Sequence, residues 1–135
     1  MMDENQQSGP SKEQIDSVIA LFSKSEFEKA LDLVKNLVKK FPENSLLHNI
    51  TGACYSSLGQ LGSAVKCYDK ALAINPDYAK AHFNLGNALH DLALQGIGHL
   101  DDPAFQGVGH LDDPIKSYKR SLEIDPEYAE AHNNL

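Results

Sequence analysis

Six possible metal donors crowd one short stretch of this sequence: His99, Asp101, Asp102, His110, Asp112 and Asp113. Imidazole nitrogens and carboxylate oxygens are ligands for divalent ions. The cluster exists because residues 93–103 are followed by a near copy, 104–114, so the string His-Leu-Asp-Asp occurs twice. The aspartates have a competing use. Asp113-Pro114 suits a helix start, with Asp as the cap and Pro in the first helical position. Asp102-Pro103 offers the same start, but Gly107 and Gly109 would break that helix. Glycines also loosen any ligand set, so no metal and no cofactor is assigned. The Gly-x-Gly strings at 96–98 and 107–109 lack a third glycine and a preceding strand, so they build no phosphate cradle.

The remaining reactive residues are plain. His48, His82 and His132 stand at matching places and are read as helix-packing residues rather than catalysts. Cys54 and Cys67 have neither metal spacing nor a disulfide framework. They are read as small apolar helix residues in a reducing compartment, so a cytoplasmic location is expected. No Ser/His/Asp set and no paired acids appear, and the chain is expected not to be an enzyme.

Composition narrows the partners. The 135 residues carry 12 Lys+Arg against 19 Asp+Glu, a net charge of −7. Nucleic acid and anionic membrane both need a basic field, which this balance does not supply. No apolar run approaches the roughly 18 residues of a membrane span. Residues 1–10 are polar and acidic, unlike a signal peptide, and are expected to be disordered.

The elements that must position everything else are helices. Three strings align: Phe41-Pro42-Glu43-Asn44, Asn75-Pro76-Asp77-Tyr78 and Asp125-Pro126-Glu127-Tyr128. Pro42 and Pro76 stand 34 residues apart, and Pro76 and Pro126 stand 50 apart, which is one 34-residue period plus 16. Each unit reads as two amphipathic helices. Ser11-Lys12-Glu13-Gln14 is a capping box before a stripe of Ile15, Val18, Ile19 and Phe22. Ser25-Glu26-Phe27-Glu28 reads as a second box before Phe27, Ala30, Leu31, Val34 and Leu37. The second unit carries Leu47, Ile50, Tyr55 and Leu58, a turn at Gly59, then Ala64, Val65, Tyr68, Ala71 and Leu72 before Pro76.

Gly52, Tyr55, Ala64, Tyr68, Ala71 and Pro76 resemble the tetratricopeptide repeat (TPR), whose period is about 34 residues. Gly52 and Ala64 are small where antiparallel helices cross, Tyr68 fills the space between them, and Pro76 stops the second helix. The third unit keeps Leu85, Gly86 and Tyr118 but has Pro114 and Ser121 at the two small-residue places. The first unit matches at Ala30 and Pro42. The resemblance implies an all-α, right-handed superhelix of antiparallel helix pairs. Its repeats span about 11–44, 45–78 and 79–128, with a partial fourth at 129–135. The 16-residue insertion, at about 93–108, falls between the two helices of the third repeat. The repeats also look like the TPR arrays that precede glycosyltransferase or sulfotransferase domains in some bacterial proteins, including O-GlcNAc-transferase-like enzymes.

What the resemblance implies for function is a concave side, lined by the first helices, that holds a peptide or protein. The residues expected to line it are Asn49, Lys80, Phe83, Asn84, Asn87, His90 and Asn134. Asn84 and Asn134 occupy equivalent places and are similar to the asparagine ladder of those transferases, with Ile50 interrupting it in the second unit. An amide side chain both donates to and accepts from a peptide backbone. A second TPR mode grips a C-terminal carboxylate with Lys/Arg and Asn. Here Ile15 and Ile19 stand where Lys and Asn would be, and Asn84 replaces a basic residue, although Lys80 is retained; no such clamp is expected.

The insertion is open to two readings: a slippage duplication tolerated because loop closure costs little, or a device for association. Ile97, Leu100, Phe105, Val108 and Leu111 would supply apolar contacts for a homo-oligomer, including a domain swap of the segment that follows. A chain that stops at Leu135, part-way into a first helix, is expected to be a piece of a longer protein or to be covered by another chain.

Overall fold

The computed structural model describes residues 9–95 and 114–127. The insertion's candidate metal and oligomer residues, and Asn134, lie outside them. The described residues are all helical where regular: α1 (Lys12–Ser23), α2 (Phe27–Lys40), α3 (Ser45–Ser57), α4 (Leu61–Ile74), α5 (Ala79–Leu94) and α6 (Pro114–Ile124). Each helix packs on its neighbours in the chain, and the first helices α3 and α5 also touch directly. That is the contact pattern of a solenoid, in which a repeat sees only the repeats beside it.

The helix ends follow from local chemistry. Gln14 N–H donates to Ser11 Oγ at 3.1 Å and Ser11 N–H donates to Gln14 Oε1 at 2.8 Å, so the expected capping box forms. The second expected box does not form. Ser25 instead closes α1: its φ is 62°, and Glu26 N–H reaches back to the Leu21 carbonyl at 2.9 Å. Gly59 does the same after α3, with φ 80° and Gln60 N–H on the Tyr55 carbonyl at 2.9 Å. A left-handed residue here satisfies the last carbonyls of the helix. Glycine adopts it without strain and serine does not. Ser25→Gly should therefore raise stability by up to about 1 kcal/mol, read as a higher urea midpoint.

Packing is organised by small residues under tyrosines. A Cβ built on Gly52 would lie 2.5 Å from Tyr68 Cε1, and one on Gly86 would lie 2.7 Å from Tyr118. Ala30, Ala64 and Ala71 are fully buried, as is Ser121 at the place where the second repeat has Ala71. Two cores result. Val18, Ala30, Val34, Leu37, Leu47 and Cys54 tie α1 and α2 to α3. Leu61, Val65, Tyr68, Leu85, Leu89 and Leu92 tie α4 to α5.

Candidate functional site

The first helices α1, α3 and α5 each bury one stripe against second helices and leave another toward the opposite side. On α3 the buried stripe includes Leu47, Thr51 and Cys54, while Leu46, Ile50, Ala53 and Ser57 are more open. On α5 the more open residues are Lys80, Asn84, Asn87, His90 and Asp91.

The structure brings two of the expected site residues into direct contact. Asn84 Nδ2 donates to Asn49 Oδ1 at 3.1 Å across the α3–α5 junction, and Asn49 Nδ2 donates to Tyr78 Oη at 3.4 Å. Asn49 is buried and Asn84 half-buried. Among the described residues nothing donates to Asn84 Oδ1, which leaves that oxygen and one N–H for a ligand. Lys80 lies one turn earlier on the same helix and is exposed, as is His90. Phe83 is elsewhere. It is only 8% exposed and packs against Tyr118 with ring centroids 5.9 Å apart. Asn87 also serves the fold, accepting from Tyr118 Oη at 2.7 Å.

The partner slot in the first repeat is apolar. Asn49 and Asn84 stand 35 residues apart, and so do Ile15 and Ile50. Both isoleucines pack on the Val18–Leu47 core. Ile19, one turn after Ile15, is 47% exposed, and Leu46, one turn before Ile50, is 39% exposed. Lys12, the one lysine or arginine on α1 or α3, is held by Asp16 at 2.9 Å.

The repeated histidines do something sequence reading did not anticipate. His48 Nε2–H donates to the Pro42 carbonyl at 2.8 Å and His82 Nε2–H to the Pro76 carbonyl at 2.9 Å. Each fastens a first helix to the proline turn before it. Burial lowers the His82 pKa below its ordinary 6.5, partly offset by the Pro76 bond; Arg120 opposes the charged form, and Asp77 and Glu123 favour it. A depressed folded pKa means the unfolded chain binds the proton first. The contribution is whole above about pH 6.5 and is lost as pH falls through that value and the lower folded one. A His82→Gln chain should lose less stability than the parent between about pH 7.5 and about pH 5.5, measured by urea midpoints at both.

Cys54 and Cys67 are free, and burial pushes both thiols up to about 11. They are protonated and poor nucleophiles near neutrality. Among the described residues no group of three or more His, Cys, Asp or Glu is placed to hold a metal ion, and no helix is long and apolar enough to cross a membrane. Two clefts open elsewhere. One of about 440 Å³ is lined by Ser17, Asn36 and Lys40, and one of about 650 Å³ by Val38, His48 and Lys70; neither is enclosed.

Residues 52–92 match the TPR repeat family model. That stretch, from α3 to α5, is tetratricopeptide-repeat sequence. Among its relatives, the heat shock protein sti1 homolog of Schizosaccharomyces pombe is 33% identical over 82 residues, 61% of this chain and 13% of that protein. The peroxisomal targeting signal receptor of Candida albicans is 30% identical over 82 residues, 61% of this chain and 14% of that protein. The chain thus spans about an eighth to a seventh of the length of these curated relatives, which are eukaryotic proteins and not bacterial transferases. In three dimensions it is similar to the first TPR of Spaghetti (RPAP3), solved bound to the HSP90 peptide SRMEEVD. The TM-score is 0.73 and the identity 23%, covering 95% of this chain and 91% of that one. At that identity the likeness is one of TPR fold.

Proposed function

We propose that this chain is a peptide-binding interaction module that holds a polypeptide segment against the face shared by α1, α3 and α5. The observation that carries the reading is the Asn49–Asn84 amide pair across two first helices, with Asn84 keeping one acceptor and one donor in reserve. A row of that kind meets the alternating C=O and N–H of an extended backbone. The names of the relatives, a heat shock protein sti1 homolog and a targeting signal receptor, and the peptide held by the Spaghetti domain support a peptide as the ligand class.

The test uses the full chain and random dodecapeptides displayed on phage. The tightest peptide recovered is synthesised and titrated by calorimetry against the parent and Asn84→Ala. Asn84→Ala is expected to weaken binding about tenfold, the worth of one or two hydrogen bonds. Unchanged affinity would move the site off this face. Asn87 is unsuited to the test because its side chain holds Tyr118.

Two further readings have an observation behind them. The small share of each relative that the chain spans favours a role as the recruiting arm of a larger protein, whether co-chaperone, receptor or transferase. Leu94, at the start of the insertion, and Ile115, beyond its end, are 72% and 50% exposed, which favours self-association there. Light scattering of the full chain beside one lacking residues 93–108 separates these: a monomer in both rules out the second. Two free thiols, Cys54 buried and Cys67 half-buried, suit a reducing compartment such as the cytoplasm.

A further inference from the structure

We infer that the first-helix face selects an uncharged peptide segment, seating an aliphatic side chain on Ile15, Ile19, Leu46 and Ile50 and laying its backbone over Asn84, and that it rejects acidic tails. This rests on the peptide-binding reading above and adds the chemistry of the ligand.

The argument starts from one slot used twice. The α3–α5 junction places Asn49 against Asn84, 35 positions later, and the 34-residue register carries that slot back to Ile15 and Ile50, also 35 apart. The face is therefore an amide half on α3 and α5 joined to an aliphatic half on α1 and α3. Ile15 and Ile50 already touch the core. Ile19 and Leu46 extend the same apolar ground into the open at 47% and 39% exposure. Covering them with another aliphatic side chain removes apolar surface from water on both partners.

Charge decides what is excluded. An acidic peptide needs several cations, and α1 and α3 carry one lysine and no arginine between them. Lys12 is paired with Asp16 at 2.9 Å, α3 has no lysine or arginine, and Glu13 adds a further negative charge, so α1 is net acidic. The chain as a whole carries −7. Lys80 is one cation in the amide half, enough for a backbone carbonyl or a single carboxylate and not for a run of acids. A carboxylate brought onto Ile15 and Ile19 would lose hydration with no partner in return.

The experiment is the dodecapeptide selection with its enriched sequences read out. The enriched set is expected to gain Leu, Ile, Val or Phe and to lose Asp and Glu. Ile19→Asp, at an exposed position that leaves folding intact by circular dichroism, should weaken the best peptide about tenfold or more. The acidic peptide SRMEEVD should bind the parent more weakly than the selected peptides. Acidic winners that tolerate Ile19→Asp but are lost with Asn84→Ala would overturn the aliphatic preference and leave peptide binding standing. Tighter binding of SRMEEVD would do the same. A selection that returns no binder, or binders indifferent to both variants, would overturn peptide binding on this face and the preference with it.

Discussion

Gly52→Ala should lower the melting temperature by about 10 °C, although alanine is the better helix former by about 1 kcal/mol. The added methyl group would lie 2.5–2.9 Å from three carbons of the Tyr68 ring. That ring cannot give way easily. It is 2% exposed, packs among Leu61, Val65 and Leu85, and shares a hydrogen bond with Ser56 Oγ at 3.3 Å. Burial also pushes its phenol up to about 12, as expected of a group held out of water. The helices α3 and α4 must therefore part, and overpacking of this kind costs about 2–3 kcal/mol net. Pairing the change with Tyr68→Leu makes room for the methyl group, and thermal melts of all four chains should show a favourable coupling. Gly86 under Tyr118 repeats the arrangement, so Gly86→Ala should behave alike; strictly additive melts would remove the close-contact account.

Leu47→Ala should cost about 3 kcal/mol, the middle of the range for a buried leucine. Leu47 is completely buried in the first turn of α3, among Val18 of α1 and Ala30, Val34 and Leu37 of α2. Truncation opens a cavity where three helices meet. Because a solenoid unfolds by units, the loss should be local. Hydrogen exchange followed by mass spectrometry should show α1 and α2 amides exchanging faster, with α5 and α6 unchanged. Leu47→Met keeps the volume and should cost under about 1.5 kcal/mol. Uniform acceleration along the chain would contradict a modular fold.

Much of the fold was legible because it is written in residue types with few alternatives. Prolines 34 residues apart end helices, and a glycine that recurs opposite a tyrosine marks a close crossing. The capping box at Ser11 was readable because its two hydrogen bonds span only three residues. The Ser25 box failed for a physical reason. The serine expected to cap α2 is claimed by the left-handed turn that ends α1, and sequence alone does not rank those uses. The site was less legible. Asn84 compared with Ile50 at the 34-residue period suggests a broken row of amides. The actual contact runs to Asn49, one residue further, because neighbouring first helices are staggered. Phe83 was expected on the open face beside Lys80 and Asn84. Tyr118, contributed by a helix after the insertion, covers it. The histidines gave the signal of repetition but not its meaning, which needs the position of a proline carbonyl.

Peptide holding by the first helices is tested most directly by amide shift mapping in solution. The full chain is labelled with nitrogen-15 and titrated with the tightest selected dodecapeptide. The shifts are expected to concentrate at Ile19, Leu46, Lys80 and Asn84, with little change along α2, α4 and α6. Shifts confined to those second helices would place the ligand on the opposite surface and contradict the account.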